Sequence, residues 1–227
     1  DRQCRIFRPI HPVAGGAALA ILRKHPDVLA RVRAALPGAT TFAAGSWAPL
    51  VEEASGGPLF AGGGYRPALP AGSEDGPLGL VAAMDEAVVA RAARELRHRD
   101  HAVVFAYAVL PDIVGHTEGV TARYRSAVEL CDEQLGVLLA AIEARPDCAR
   151  EDWTVIVLTD HGHRDEGDHG GDSDEERTAW IAAAGPGIPA GSAPVVDHAD
   201  VLPHVLAALG LPADAALPGR PFGARTA

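Results

Sequence analysis

The chain has 227 residues and a formal net charge of −10, with 48% apolar, 5% aromatic and 22% charged residues. This composition is typical of a folded globular protein and excludes bulk disorder. The acidic balance argues against sequence-independent nucleic-acid binding and against anionic membrane surfaces, because both depend on clustered Lys and Arg. No apolar run approaches the roughly 20 residues that a membrane-spanning helix needs. Neither nucleic acid nor a membrane is therefore an expected partner.

The three cysteines, Cys4, Cys131 and Cys148, show no Cys-x-x-Cys spacing. They predict free thiols rather than a disulfide framework or a thiolate zinc site. The first residues are not followed by an apolar signal core, and position 1 is Asp rather than Met. The compartment is therefore unassigned, with a cytoplasmic location favoured over secretion, and the chain is expected to be a fragment or a processed form.

The first part of the chain contains few regular elements. Short helices are predicted at Ala17–Lys24 and Asp27–Leu36, followed by a short strand at Thr40–Ala44. The segment from Gly56 to Gly76 is rich in Gly and Pro, which predicts one long loop.

The second part alternates helical patterns with apolar runs. Helices are predicted at Pro77–His98, Val120–Ala144 and His198–Leu209. The second of these helices should turn Val128 and Leu139 toward the core. Continuous apolar runs predict buried strands that are neighbours in one sheet, at Val103–Leu110, Trp153–Thr159 and Ala179–Ala184, with a short edge strand at Val195–Val196. This alternation predicts a single α/β domain over residues 1–227, a three-layer α/β/α sandwich with a mostly parallel central sheet.

Three short motifs follow these predicted strands. Asp112 and His116 come after the first buried strand, Asp160 and His161 come after the second, and His169 lies a few residues further on. Because ligands gather at the carboxyl ends of strands in open α/β sheets, we expect the five side chains to share one edge. Each of them alone is more simply a surface loop residue, but three such motifs at strand ends are difficult to attribute to chance.

The residue types at this edge indicate a metal site. Imidazole and carboxylate together favour an ion of the Zn²⁺ type over Ca²⁺ or Mg²⁺, which prefer all-oxygen ligands. The Asp-x-x-x-His spacing lets Asp112 and His116 meet the same ion if a turn begins at Gly115. Five ligands exceed the needs of one tetrahedral ion, so two ions are plausible, and two-metal sites generally catalyse hydrolysis or displacement at phosphorus.

These motifs together resemble the alkaline phosphatase superfamily, and within it the type I phosphodiesterase/nucleotide pyrophosphatase branch. The motifs that carry the resemblance are Asp112-x-x-x-His116, Asp160-His161-Gly162 and His169-Gly170-Gly171. The similarity is good over Pro77–Leu211 and weak over Ala17–Trp47. It implies two divalent ions, with zinc preferred. Asp112, His116 and His169 would hold one ion, and Asp160 and His161 would hold the other with an Asp and a nucleophilic Thr or Ser.

The nucleophile that the family supplies before its first helix has no match in this sequence. Thr40, Thr41, Ser46 and Ser55 all follow the expected position, and each is more simply explained without a catalytic role. The catalytic residue is therefore unassigned, and one ion site is better formed than the other. His163 is close enough to the motifs to contact a bound phosphate, although a solvated loop histidine is the simpler interpretation.

The predicted function is metal-dependent hydrolysis of a small-molecule phosphoester, either a phosphodiester or a nucleotide pyrophosphate. The alternative is a non-catalytic, metal-binding remnant of the same fold. A sulfatase would need a Cys or Ser followed by Pro and Arg, which Cys4-Arg5 does not match. A cofactor-independent phosphoglycerate mutase would need a large inserted domain, for which this chain has no room.

Overall fold

A computed structural model of the chain describes residues 24–53, 57–69, 76–191 and 196–222. The chain divides into two compact units. Among the described residues, the larger unit comprises those up to Cys148 together with His163–His169, and the smaller unit comprises Ala149–Gly162 and those from Gly170 onward. The predicted helix before Lys24 and the first residue of the predicted edge strand, Val195, lie outside the described residues.

A parallel pair of strands organises the described part of the larger unit. Its elements in chain order are α1 (Val28–Ala35), β1 (Thr40–Gly45), α2 (Ala48–Val51), α3 (Gly76–His98), β2 (His101–Tyr107), α4 (Leu110–Glu118) and α5 (Ala122–Glu143). Strand β1 pairs with β2 in parallel, from Thr41 opposite Val103 to Gly45 opposite Tyr107. Both strands therefore end at the same edge, and β2 leads from that edge into α4.

The core beside β1 is assembled by α1 and the segment that follows α2. Asp27 begins α1, because its carboxylate accepts a hydrogen bond from the Ala30 N–H at 2.9 Å. One face of α1 then buries Leu29, which packs in a cluster whose buried members are Leu29, Ala43, Val51 and Phe60. Phe60 comes from the segment predicted to be a loop, so this loop contributes an anchor to the core.

Helix α3 is the central helix of the larger unit and packs against β2 and α5. Its residue Val88 is completely buried. The predicted inward stripe of α5 also includes Tyr124, Leu135, Leu138 and Ile142. It is wrong for Val128 and Leu139, which are 41% and 38% exposed, whereas Tyr124 packs against the core cluster of Leu110, Val114 and Ala127. The fully buried residues of α5 are Ala127, Gln134 and Ala141. The two alanines allow close helix packing, and hydrophobicity alone does not reveal them.

The apolar run predicted as one strand over Val103–Leu110 divides into two elements. Strand β2 ends at Tyr107, and Leu110 is the first residue of α4. Pro111 at the start of α4 favours the helix, because its fixed φ suits the first turn and its missing N–H is not needed there. Asp112 and His116 therefore lie on a helix rather than in the loop with a turn at Gly115 that the sequence predicted.

The smaller unit contains an antiparallel strand pair. Its described elements are β3 (Val155–Leu158), α6 (Asp174–Arg177), β4 (Ile181–Ala184) and α7 (Val201–Ala208), with 3₁₀ turns at Cys148–Arg150 and His198–Asp200. Val155 lies opposite Ala184 in this pair. The prediction that the three apolar runs are neighbours in one sheet is wrong for the described residues, since β2 pairs with β1 and β3 pairs with β4. Parallel neighbours usually need a long helical crossover, and the connection from β3 to β4 has only the four-residue α6.

The α/β class predicted from the sequence is confirmed, with helices packed around a parallel strand pair. Cys131 and Cys148 are both free thiols, as predicted. Within the described ranges, no helix has the length and apolar character needed to cross a membrane.

Candidate metal centre

Helix α4 sets one carboxylate and one imidazole on the same face. Asp112 and His116 are four residues apart, which is about one helical turn. The His116 Nε2 atom lies 3.6 Å from Asp112 Oδ1. Regular helical geometry therefore brings together the two residues of the Asp-x-x-x-His motif.

The segment 163–169 brings two further imidazoles to the same oxygen atom. His163 Nε2 lies 3.0 Å from Asp112 Oδ1, and His169 Nε2 lies 3.3 Å from it. Their side chains are only 3% and 8% exposed. The ligand atoms offered by Asp112, His163 and His169 all lie within 4.8 Å of one another. Three histidines thus surround one carboxylate, and we call Asp112, His116, His163 and His169 the His₃Asp cluster.

Close backbone contact holds segment 163–169 against the end of α4. The Val120 N–H donates a hydrogen bond to the Asp165 carbonyl at 3.1 Å. Gly167 has a φ of +98°, and a Cβ at this position would lie 2.5 Å from the carbonyl oxygen of Gly115. A side chain would prevent this approach, so Gly167 permits the contact that positions both histidines.

Gly115 provides the space that the His163 ring fills. A Cβ at position 115 would lie 2.7 Å from His163 Cε1 and 2.9 Å from His163 Nε2. The imidazole therefore occupies the volume of a missing side chain on α4. Gly115 lies between Asp112 and His116, two candidate metal ligands on the same helix. Its lack of a side chain makes room for His163, a third candidate from another part of the chain.

Asp168 orients the remaining histidine of the cluster. Its Oδ1 lies 3.2 Å from His116 Nδ1. The His169 N–H donates to Asp168 at 2.9 Å, and this hydrogen bond, followed by the charge of His116, lowers the pKa of the Asp168 carboxyl. An imidazole that donates from Nδ1 presents its Nε2 lone pair on the opposite side, which is the tautomer a metal ligand needs. Asp168 thus directs the Nε2 atom of His116 toward Asp112.

Asp160 and His161 belong to the smaller unit, directly after β3. Asp160 Oδ1 lies 3.7 Å from His161 Nε2. His161 Nδ1 is 3.1 Å from the Gly162 carbonyl and acts as the donor to it, so Nε2 is the lone-pair nitrogen. That these two residues hold a second ion remains a prediction.

The chemistry of the donors in the His₃Asp cluster fits a divalent ion with a preference for nitrogen. Imidazole suits zinc and neighbouring transition metals, whereas calcium and magnesium take oxygen ligands. The space at Gly115 lets the His163 ring approach Asp112 without a steric clash. The residues present therefore fit a metal of this type.

The structure brings together three of the predicted ligands, Asp112, His116 and His169. It adds His163, which the sequence predicted to contact substrate. The spacing of His163 indicated that it lies near the site, but not that it joins the group of candidate metal ligands. The signal that could have revealed it is Gly115, a helix-destabilising residue inside the Asp-x-x-x-His motif.

The nucleophile candidates that the structure describes have other contacts. Thr40 and Thr41 lie at the start of β1, opposite the edge where α4 begins, and the Thr40 hydroxyl bonds to His101 Nδ1 at 2.8 Å. Ser46 is 5% exposed and its hydroxyl donates to the Tyr107 carbonyl. Ser55 lies outside the described residues.

Comparison with known proteins gives one family and two similar solved structures. Residues 76–178 match the sequence profile of the metalloenzyme superfamily, a range that includes every predicted metal ligand. A protein named as a sulfatase from Bacteroides thetaiotaomicron VPI-5482 is 16% identical with a TM-score of 0.57, covering 82% of this chain and 53% of that one. The 2-O GAG sulfatase BT1596 is 14% identical with a TM-score of 0.56, covering 86% of this chain and 54% of that one.

The chain spans about half the length of these solved structures. No curated protein matches the sequence. The predicted resemblance to the alkaline phosphatase superfamily is confirmed as a resemblance over residues 76–178, and the predicted fold is confirmed by the two solved structures.

Proposed function

We propose, from its resemblance to the alkaline phosphatase superfamily, that this chain forms the metal-binding part of a metal-dependent phosphoester hydrolase. The observation that carries the proposal is the His₃Asp cluster, in which three imidazoles surround Asp112 Oδ1 at 3.0–3.6 Å. An ion held there would supply positive charge to polarise a phosphoryl oxygen and to activate a water molecule. We propose zinc as that ion, because the donors are mainly imidazole nitrogens.

The residues around the ion site would have separate roles. Asp112, His163 and His169 would bind the ion, and Asp168 would keep His116 in the tautomer that ligates it. Asp160 and His161 would contribute to a second ion, whose remaining ligands and whose nucleophile are not identified in this sequence. We therefore expect one ion to bind more tightly than a second, with weak turnover.

Substrate recognition is proposed to use a cavity beside α4. It has a volume of about 410 Å³, and its lining includes Trp47, Arg66, Leu69, Met84 and Ile113. Ile113 follows the ligand Asp112 directly, so the cavity and the ion site share α4. A mostly apolar wall with one guanidinium suits the organic portion of an anionic ester.

Sulfate ester hydrolysis is the second candidate, because two solved structures similar to this chain are named as sulfatases. Sulfate and phosphate esters present similar tetrahedral anions, and the same ion site could accept either. The proposal of a phosphoester rests on the resemblance of the Asp112, Asp160 and His169 motifs to the nucleotide pyrophosphatase branch.

The test combines metal content with turnover. We expect elemental analysis of the purified chain to give about one zinc per chain, and His163→Ala and Asp112→Asn to reduce this stoichiometry. His98→Ala, at the exposed end of α3, is the matched control and should retain the metal. Turnover of bis-p-nitrophenyl phosphate above that of p-nitrophenyl sulfate would support phosphoester hydrolysis, and the reverse order would favour a sulfatase.

Two results would contradict the proposal. A chain that binds no zinc would exclude the metal centre altogether. Zinc binding without turnover of either ester, both in this chain and in the protein expressed from the complete gene, would support the non-catalytic alternative.

A further inference from the structure

A buried carboxylate lies behind the helix that carries two of the proposed ligands. Asp85, in the middle of α3, is 0% exposed. Its carboxylate accepts hydrogen bonds from the backbone N–H of Val109 at 3.0 Å and of Leu110 at 2.8 Å. Asp85 thus ties the middle of α3 to the start of α4.

The start of α4 has no local cap, which makes these hydrogen bonds important. Val109 is the N-cap residue of α4, and its side chain accepts no hydrogen bond. The first N–H groups of a helix have no partner within the helix. Leu110 is the first residue of α4 and is buried, and Asp85 accepts from its N–H across 25 positions of sequence. Pro111, the next residue, has no N–H that needs a partner. A negative charge at this end of a helix is also favoured by the helix dipole.

The position of this contact determines where the ligands lie. Asp112 follows Leu110 by two residues, and His116 follows Asp112 by one helical turn. Metal–ligand distances tolerate only about 0.2 Å of variation. A small change in the direction in which α4 leaves β2 would therefore separate these two ligands from the histidines of segment 163–169.

We propose that Asp85 is a positioning residue for the metal centre, acting through the first turn of α4; this inference rests on the proposed metal-binding function. Asp85 contacts none of the proposed ligands. Its carboxylate fixes the direction of α4 and thereby the geometry of Asp112 and His116. Burial of a charge in this position has a free-energy cost, which the backbone N–H donors offset.

The experiment compares Asp85→Asn with a matched variant elsewhere in the larger unit. Asp27 also accepts two backbone N–H groups, from Ala30 and Ala61, but it caps α1, which carries no ligand. Co²⁺ titration of each variant reports the affinity by absorbance, and the positions of the Co²⁺ bands report the ligand geometry. Loss of residues that orient metal ligands typically weakens binding about 10–100-fold.

We expect Asp85→Asn to bind Co²⁺ about tenfold more weakly with shifted bands, and Asp27→Asn to match the unaltered chain. Hydrogen exchange without metal provides a second readout. Exchange should accelerate about fivefold in α4 for Asp85→Asn, as for loss of a helix cap, and in α1 for Asp27→Asn. If Asp85→Asn does not fold, Asp85→Ser keeps one acceptor oxygen and takes its place.

Each outcome decides the matter. Unaltered Co²⁺ affinity and bands in Asp85→Asn would overturn the positioning role. So would exchange that accelerates equally in every element, because that pattern indicates general destabilisation. If the unaltered chain binds no Co²⁺, the proposed metal centre fails. Hydrogen exchange of the metal-free proteins would then still test whether Asp85 fixes the start of α4. Equal exchange rates in α4 of Asp85→Asn and of the unaltered chain would overturn this structural role as well.

Discussion

Gly115→Ala is the substitution that tests the ligand role of His163 most sharply. A Cβ at position 115 would lie 2.7 Å from His163 Cε1 and 2.8 Å from its Nδ1. Non-bonded carbon atoms prefer about 3.5 Å, so the imidazole would have to retreat by roughly 0.8 Å. This is about four times the variation that a metal–ligand distance tolerates. The added methyl group should therefore remove His163 from the ligand set.

The clash with the buried His163 ring should cost about 1–3 kcal/mol of stability, as overpacking typically does, and the higher helix propensity of alanine offsets part of this cost. Alanine is more favourable than glycine inside a helix by about 0.5–1 kcal/mol. Gly136→Ala is the matched control, because it adds the same methyl group to helix α5, where a Cβ would meet nothing within 4 Å. Any difference in metal binding between the two variants then comes from the contact with His163.

Calorimetric titration with Zn²⁺ measures the effect, and urea unfolding of the metal-free chain measures stability. We expect zinc affinity to fall by more than about tenfold in Gly115→Ala and to stay unchanged in Gly136→Ala. In a His163→Ala background, Gly115→Ala should have no further effect, since the ring that it displaces is gone. Zinc affinity equal to that of the unaltered chain in Gly115→Ala would refute the assignment of His163 as a ligand.

Three further predictions concern stability and side-chain chemistry. Leu29→Ala removes a side chain that is 2% exposed, so urea unfolding should show a loss of about 3 kcal/mol, and a loss below about 1 kcal/mol would contradict its core position. Burial raises the pKa of Cys131 to about 11. In a variant whose other cysteines are replaced by serine, alkylation of Cys131 at pH 8 should therefore be about 100-fold slower than that of an ordinary thiol. Rapid labelling would argue against the buried environment. Burial also lowers the pKa of His204, and the neutral imidazole accepts the Phe222 N–H at its Nδ1 atom at 3.0 Å. The stability that this neutral form contributes is present above the ordinary histidine pKa. It is lost as the pH falls through the lowered pKa of the folded protein. The protection of the Phe222 amide against hydrogen exchange, measured relative to the intrinsic exchange rate at each pH, should fall on acidification in the unaltered chain and not in His204→Asn. An identical pH response of this protection in the two proteins would exclude His204 as the cause.

Local patterns predicted most element positions because they reflect local physics. The helix beginning after Asp27 and the long helix Gly76–His98 lie where apolar spacing and capping residues indicated. The strand over Val103–Leu110 was predicted to end three residues too late, since its apolar run continues into the first turn of α4, where Leu110 bonds to the distant residue Asp85. The predicted strand pairing was also wrong, because pairing partners are set by tertiary contacts rather than by the apolar run itself.

The ligand motifs were predictable, but the complete cluster was not. Asp112 and His116 share a helix face by spacing alone, and His169 belongs to a recognisable motif. The inclusion of His163 depends on a glycine in α4 and on the path of segment 163–169, both of which are tertiary features. Candidate ligands can thus be identified from the sequence where helical spacing or a known motif marks them. A residue such as His163, which joins the cluster only through tertiary packing, cannot.

The separation of the ligands along the chain has a consequence for folding kinetics. Asp112 and His163 meet across 51 positions of sequence, with the whole of α5 between them. Contacts of such long range form late, because the chain must close a large loop before they are made. An ion held by this cluster stabilises contacts that are absent from the early part of folding, so it should slow unfolding while leaving the folding rate almost unchanged. The metal would therefore increase mainly the kinetic stability of the native state. Its removal by a chelator would shorten the lifetime of that state.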